Sequence, residues 1–236
     1  MTPTLAHFKH AAATGDLDFL QHALTVLAHK PRPFAEAGLS DALERACEGG
    51  HAAVAALLLE AKGGPRTETA LFRGLEQAIT FDRGACFEVV LAALKRTSGQ
   101  ASLFTTLLRC AVRSHRPAMF EALWTAAPPG TTLERAVVEV AREMPAHPMF
   151  DRLMALTDPV VALNAAREPR RRSGRQGAVM DWRALERVLL RVEPAVREAW
   201  LATRQITEQV PAVRAHERQV ALAQVPAGPS RARMRA

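Results

Sequence analysis

Residues 46–59 read Ala46-Cys-Glu-Gly-Gly-His-Ala-Ala-Val-Ala-Ala-Leu-Leu-Leu59, a segment that opens on two small residues and breaks at two glycines. The apolar residues after the break recur with the spacing of one face of a short helix. Glycine is the residue that most readily ends a helix in the left-handed conformation. The segment therefore predicts the end of one helix, a tight turn and the start of a second helix.

The same arrangement recurs along the first two thirds of the chain. Adjacent apolar residues align at spacings of 35, 35, 30 and 30 residues, in the pairs Phe19-Leu20, Val54-Ala55, Val89-Val90, Met119-Phe120 and Met149-Phe150. A second pattern precedes each pair: a large apolar residue is followed, three and four positions later, by two residues that are mostly small. These sets are Phe8 with Ala11-Ala12, Leu43 with Ala46-Cys47, Leu75 with Ala78-Ile79, Leu107 with Cys110-Ala111 and Leu133 with Ala136-Val137. Stacked pairs of short helices bury an apolar face that one pair cannot bury alone. We therefore predict an all-α fold, a solenoid of about five helix-turn-helix repeats with a C-terminal helical extension.

Two of these segments resemble ankyrin repeats. Residues 46–59 are the closest match to the family's pattern of two small residues, Gly-His, two valines and a leucine run, with Val54-Ala55 at the two valine positions. The second match is Ala11-Ala-Ala-Thr-Gly-Asp-Leu-Asp-Phe-Leu20. The resemblance spans residues 4–157 and implies an ankyrin-like solenoid in which His51 makes hydrogen bonds at its turn. A solenoid of plain helical hairpins, without the family's β-hairpin fingers, is the alternative architecture.

The resemblance also implies a function, which is to bind another protein. Ankyrin repeats present their inner helices and connector tips as a concave surface, so the chain is expected to be a non-enzymatic interaction module or scaffold. Carried over by position, the candidate partner-binding residues are Arg32, Phe34, Glu44, Arg66, Arg73, Glu76, Arg109 and Arg135. Phe34 is the one large apolar residue in a connector, and the alternative is that it tucks under its loop. The alternative for the charged residues is that they are simply solvated.

Charge is distributed unevenly along the chain. Residues 166–236 contain 15 Arg, no Lys and 7 acidic residues, a net charge of +8, whereas residues 1–165 contain 16 basic and 17 acidic residues. Such asymmetry is typical of proteins that contact nucleic acid or another acidic surface. The alternative function is therefore nucleic-acid or acidic-surface binding through the Arg-rich third, with the candidate residues Arg170, Arg171, Arg172 and Arg175.

The composition of the chain divides it into four segments. We predict the repeat solenoid over residues 4–165, a basic flexible linker over 166–180, a helical extension that caps the solenoid over 181–222 and a disordered tail over 223–236. In the extension, the apolar stripe Trp182, Leu185, Val188, Leu189 and Val192 indicates one helix, and Pro194 suits the first turn of the next.

No motif in the chain indicates catalysis, a cofactor or a metal site. The phosphate-binding glycine loops and the nucleophile elbow are absent from the sequence. Cys47, Cys86 and Cys110 lie far apart in sequence, and Cys47 and Cys110 are expected to act as small buried apolar residues. No small-molecule substrate is predicted. The first residues lack a signal-peptide pattern and no apolar run is long enough to cross a membrane, so a cytoplasmic location is expected, with a nuclear or secreted-effector location left open.

Overall fold

The structure is a computed structural model that describes residues 4–27, 32–61, 64–65, 67–97, 100–144, 146–168 and 182–203, with Leu5, Leu27 and residues 32–37 described by their backbone alone. All regular structure in these ranges is helical, and no strand occurs in them. The predicted all-α class is confirmed. The chain divides into two compact units, residues 1–136 and 137–236.

The described part of the first unit is built from four helical hairpins. Its helices are α1 (Leu5–Thr14), α2 (Leu17–Leu27), α3 (Arg32–Gly49), α4 (Ala52–Glu60), α5 (Glu68–Thr80), α6 (Gly84–Leu94), α7 (Ala101–Arg113) and α8 (Pro117–Ala126). Each odd helix packs against the next odd helix, and each even helix against the next even helix. The hairpins therefore stack into two layers, which is the arrangement of an α-solenoid.

Polar side chains mark where several of these helices begin. Asp16 accepts a hydrogen bond from the Phe19 amide at 3.0 Å, and Thr67 accepts one from the Ala70 amide at 3.3 Å. These contacts satisfy amide groups that have no partner inside the first turn of a helix. Asp16 therefore caps α2, and Thr67 caps α5.

One backbone feature sets the register of the hairpins. A single residue at each turn has positive φ: Gly15 (79°), Gly50 (85°), Asp82 (58°) and His115 (56°). We call this residue the turn residue, and its spacing along the chain is 35, 32 and 33 residues. The residues seven and four positions before it and five and eight positions after it are buried in all four hairpins, and they form the core of the unit.

This register corrects two of the sequence alignments. The pair equivalent to Val54-Ala55 in the third hairpin is Cys86-Phe87, which is fully buried, and not Val89-Val90. In the fourth hairpin the large residue and the small pair are Leu108 and Ala111-Val112, one position later than predicted. Cys110 is therefore half-buried and does not occupy a small-residue position. Both alignments were wrong because Asp and His replace Gly at these turns and leave no glycine to anchor the comparison.

The sequence analysis placed Phe34 in a connector between two repeats, and the structure corrects this. Helix α3 begins at Arg32, so Arg32 and Phe34 lie on a helix rather than on a connector tip. Pro33 is compatible with this position because the first turn of a helix needs no amide donor there. The placement of Phe34 in a connector was therefore wrong.

The second unit contains the remaining described helices, which are α9 (Glu134–Glu143), α10 (Phe150–Leu156), α11 (Pro159–Arg167), α12 (Trp182–Leu189) and α13 (Pro194–Thr203). The division between the units falls within α9. Leu185, Val188 and Leu189 are buried as the apolar stripe predicted, whereas Trp182 is 39% exposed. The sequence did not predict α11, which begins at Pro159. Asp158 caps it, because its side chain accepts hydrogen bonds from the amides of Val160 and Val161. Among the described helices, none combines the length and the apolar character that crossing a membrane requires.

The buried layer of α4 gives a stability prediction. Leu58 is fully buried, whereas Ala53 on the same helix is exposed. We expect Leu58→Asp to lower the free energy of unfolding by about 3–5 kcal/mol, because it places an unpaired charge in the core. Ala53→Asp is the matched control and is expected to change stability by less than about 0.5 kcal/mol. Urea unfolding measures both, and equal midpoints for the two variants would contradict the assignment of the buried face.

Candidate interaction surface

The turn of each hairpin is built by the same backbone contact. The residue after the turn residue donates its amide to an alanine carbonyl five positions earlier: Asp16 to Ala11 at 2.9 Å, His51 to Ala46 at 2.9 Å, Arg83 to Ala78 at 2.7 Å and Arg116 to Ala111 at 2.9 Å. Such a bond satisfies a carbonyl at the end of the first helix and requires a left-handed residue between donor and acceptor. The four turns therefore share one geometry.

Side chains at these turns link each hairpin to the one before it. His51 Nε2 donates to the Ala13 carbonyl at 2.9 Å, and Arg83 Nε donates to the equivalent Glu48 carbonyl at 3.1 Å. In the fourth hairpin, Arg116 Nη1 pairs instead with the Asp82 carboxylate at 3.0 Å. The hydrogen bond expected of His51 is present, and it extends to the preceding turn. We call these three contacts the turn ladder.

The residue at the turn depends on the side chain that reaches it from the next hairpin. A Cβ added to Gly15 would lie 2.5 Å from His51 Nδ1, and one added to Gly50 would lie 3.0 Å from Arg83 Cδ. Glycine is therefore needed at these turns for both its positive φ and its small size. At the third turn, Arg116 of the next hairpin pairs with the side chain of Asp82. The turn residue here therefore contacts the next hairpin through its carboxylate, whereas the first two turns have glycine.

Charged side chains repeat on the exposed side of the odd helices. The residue six positions before the turn residue is Lys9, Glu44, Glu76 and Arg109 in the four hairpins, and each is half-buried. The row continues on either side into exposed charged residues, among them Arg45 and Arg73. We call this surface the odd-helix face and define it by residues Lys9, Asp41, Glu44, Arg45, Arg73, Glu76 and Arg109.

Contacts within the odd-helix face cross from one hairpin to the next. Lys9 Nζ pairs with Asp41 at 2.5 Å, and Gln77 Nε2 donates to Glu44 Oε1 at 3.5 Å. These side chains are at least one third exposed in the Lys9–Asp41 pair, so the pair contributes less than about 1 kcal/mol to stability. The pair does place charges of opposite sign side by side across the junction of the first two hairpins.

The structure gathers half of the residues predicted to bind a partner. Glu44, Glu76 and Arg109 occupy the same position in successive hairpins, and Arg73 lies one turn away from Glu76 on α5. Arg135 is exposed near the start of α9. Arg32 and Phe34 lie on α3 with only their backbone described. The residues outside the described ranges are Arg66, Arg170, Arg171, Arg172 and Arg175.

Sequence reasoning missed an apolar feature at the hairpin tips. Phe81, directly before the third turn residue, is 44% exposed. Nearby, a cleft of about 390 Å³ lies against the first turns of α6 and α8, and Phe87, Pro117 and Met119 contribute to its apolar lining. Counting from the turn residues identifies these positions. The third and fourth turn residues are difficult to recognise in the sequence, however, because Asp82 and His115 stand where the first two hairpins have glycine.

Arginines of the second unit serve its internal structure. Arg187 donates to the carbonyls of Ala141 and Arg142 at the end of α9, at 2.6 and 3.1 Å. Arg191 pairs with Asp151 at 2.8 Å and lies over the Phe150 ring, 4.9 Å from its centroid. Arg197 is buried and donates to the Leu189 carbonyl at 3.5 Å. Part of the basic charge of the C-terminal third is therefore used to pack helices.

Within the described ranges, no three His, Cys, Asp or Glu side chains come together as a metal site would require. Comparisons of the chain with models of protein families, with curated proteins and with solved structures give no match in any of the three.

The turn ladder gives a second stability prediction. We expect Gly15→Ala to lower the free energy of unfolding by at least about 1–2 kcal/mol, because alanine at φ 79° is strained and its Cβ displaces the His51 ring. Gly84→Ala is the matched control, since a Cβ there meets nothing within 4 Å and the helix gains a better helix former.

A double-mutant cycle with His51→Ala tests the contact itself. Because the added Cβ clashes with the His51 ring, Gly15→Ala is expected to reduce stability less in the His51→Ala background than in the unmodified chain. Thermal unfolding of the four proteins measures this difference. Strictly additive costs would show that the ring and the glycine do not interact.

Proposed function

We propose that this chain is a non-enzymatic protein-interaction module, an ankyrin-like stack of helical hairpins that binds another protein through its odd-helix face. The observation that carries this proposal is the charged position six residues before each turn residue, which holds Lys9, Glu44, Glu76 and Arg109. Repetition of this position places one charge per hairpin at a regular interval. Stacked repeats commonly use such extended surfaces to bind partners.

The pattern of charge on this face favours a protein as the partner. Asp41 and Glu44 alternate with Lys9, Arg45 and Arg73, so neither sign forms a continuous patch. A phosphate backbone requires a run of positive charge and is repelled by interspersed carboxylates. A protein surface carries both signs, and complementary pairs across an interface set its register and specificity.

The architecture supports an ankyrin-like arrangement within the general class of α-solenoids. The hairpins repeat every 32 to 35 residues at their left-handed turn residues, and in the second, third and fourth hairpins the next residue reaches back to the previous turn. The repeat length is close to the 33 residues typical of ankyrin repeats. On this basis the interaction surface is the layer of first helices, which here are the odd helices.

A charge swap on α5 tests the interaction face. We expect the double variant Arg73→Glu/Glu76→Arg to bind its partner at least tenfold more weakly than the unmodified chain, because it reverses two charges on the odd-helix face while keeping the net charge. The full-length chain serves as bait in affinity capture, and mass spectrometry identifies and quantifies the partner.

The matched control is the double variant Glu88→Arg/Arg96→Glu, which swaps two exposed charges at α6 in the other layer. It is expected to retain the partner at the level of the unmodified chain. Loss of the partner from this control with retention by the α5 variant would move the binding surface away from the odd helices. Thermal melts of both variants confirm that each remains folded.

We propose nucleic-acid binding through the Arg-rich third as the second candidate function. The supporting observation is the net charge of +8 over residues 166–236, with four arginines within the six residues from 170 to 175. Since Arg187, Arg191 and Arg197 are engaged inside the second unit, this candidate depends on the other arginines of this third, above all the cluster at residues 170–175.

Salt dependence distinguishes this second candidate. If four phosphates are contacted, affinity for a fluorescently labelled DNA duplex should fall about 100-fold between 50 and 200 mM salt. Replacing Arg170, Arg171, Arg172 and Arg175 with Ala should abolish binding in fluorescence anisotropy, whereas the four Lys replacements should largely retain it because they keep the charge. Binding that survives the four Ala replacements would reject this cluster as the site.

A further inference from the structure

Two of the three cysteines meet at the junction of the second and third hairpins. Cys47 lies on α3 and Cys86 lies in the first turn of α6, and both are fully buried. Helices α3 and α6 pack against each other, and the two thiols lie close enough that each shifts the pKa of the other. The Cys86 thiol donates to the carbonyl oxygen of Ala46, the residue that precedes Cys47, at 3.7 Å. The two sulfur atoms therefore lie close together although they are 39 residues apart in sequence.

The repeat itself does not require sulfur at these positions. The residues equivalent to Cys47, three positions before the turn residue, are Ala12, Ile79 and Val112. The residues equivalent to Cys86, four positions after it, are Phe19, Val54 and Met119. Cysteine occurs at both positions only at this junction among the described hairpins, and there the two positions face each other.

The surroundings make the two thiols chemically different. Cys86 lies in the first turn of an eleven-residue helix, whose amide dipoles favour a thiolate. The hydrogen bond from Cys47 and the nearby charge of Arg83 lower the pKa of Cys86, although burial opposes them. The hydrogen bond to Cys86 and burial raise the pKa of Cys47. Cys86 is therefore the nucleophile, and Cys47 is the thiol that remains protonated beside it.

Cys86 is buried, but the residues directly before it in the chain are exposed. Gly84 and Ala85, the two residues before it, are exposed, and a Cβ built on Gly84 meets no atom within 4 Å. Opening of this first helical turn exposes Cys86 without disturbing the remaining turns of α6. Local openings of this kind at helix ends occur well below the cost of global unfolding.

We propose that Cys47 and Cys86 form a dithiol that a hydroperoxide oxidises to a disulfide, which joins the second hairpin to the third. In the first step, the Cys86 thiolate attacks one peroxide oxygen, the S–O bond forms, the O–O bond breaks, and the departing hydroxide or alkoxide takes up a proton. In the second step, the sulfur of Cys47 attacks the resulting sulfenic acid, the S–S bond forms, and hydroxide leaves and combines with the Cys47 proton as water. Two thiols lose two electrons in total and the peroxide gains them.

The disulfide would act as a staple within the stack. It would close a loop from residue 47 to residue 86, so the unfolded chain would lose conformational freedom that the folded stack has already lost. It would hold α3 against α6 at the junction that the turn ladder spans through Arg83 and Glu48. The staple does not depend on the partner proposed above.

Peptide mapping of the oxidised full-length chain tests the pairing. Trypsin separates the three cysteines, because residues 46–62, 84–95 and 110–113 are distinct peptides with one cysteine each. After treatment of the folded protein with hydrogen peroxide and alkylation of remaining thiols, we expect a linked species of peptides 46–62 and 84–95, two hydrogens lighter than their sum. Dithiothreitol should separate it into the two peptides, and the oxidised chain should melt several degrees higher than the reduced chain.

Cys110 supplies the control. It is half-buried and thus more accessible than either partner, but its hydrogen-bond partners include the Thr80 hydroxyl, at 3.8 Å, and neither of the other thiols. The variant Cys110→Ser should form the same linked species in the same yield, and Cys47→Ser should leave Cys86 trapped by a sulfenic-acid reagent such as dimedone. Disulfides that involve Cys110 as often as Cys47, or Cys47 and Cys86 both remaining free thiols under peroxide that oxidises Cys110, would overturn the proposal. The wild-type map alone decides between these outcomes if Cys47→Ser fails to fold.

Discussion

Each hairpin of the first unit depends on one residue held at positive φ, followed by an amide that donates to an alanine carbonyl five positions earlier. The bond ends the first helix and sets the direction of the second, so the buried positions of both helices are fixed relative to the turn. Alanine is required at the acceptor position because its side chain is buried where neighbouring helices approach closely. The core, the two layers and the odd-helix face all follow from this geometry.

The sequence predicted the helical hairpins because their apolar spacing is independent of the turn. Phe8, Leu43 and Leu75 were identified correctly as core residues from their distance to a small pair. The register failed in the third and fourth hairpins, where the turn residues are Asp82 and His115. A side chain at positive φ is uncommon, and sequence alone does not show that Asp82 is held there by an arginine from the next hairpin.

The candidate surface was harder to predict than the core for a physical reason. Buried positions are occupied mostly by apolar residues, so their spacing can be recognised in the sequence, whereas exposed charges are tolerated almost anywhere. Glu44, Glu76 and Arg109 form one row only when their positions are counted from the turn residues. The spacing of the apolar pairs had given a different register for the third and fourth hairpins. Likewise, charge counting could not separate arginines that bind carbonyls within the second unit, such as Arg187, from arginines free to meet a partner.

The junction between the second and third hairpins combines several departures from the repeat. Its turn residues are 32 positions apart, the shortest interval in the stack, and Arg83 rather than histidine reaches the preceding turn. Together with the Cys47 thiol, Arg83 lowers the pKa of Cys86, so a residue that links two turns also favours the thiolate form of a nearby cysteine. In a linear stack, each hairpin contacts only its neighbours, and a bond at one junction changes the stability of the hairpins on both sides. A covalent link here would therefore affect the middle of the odd-helix face, where Glu44 and Gln77 meet across the same junction.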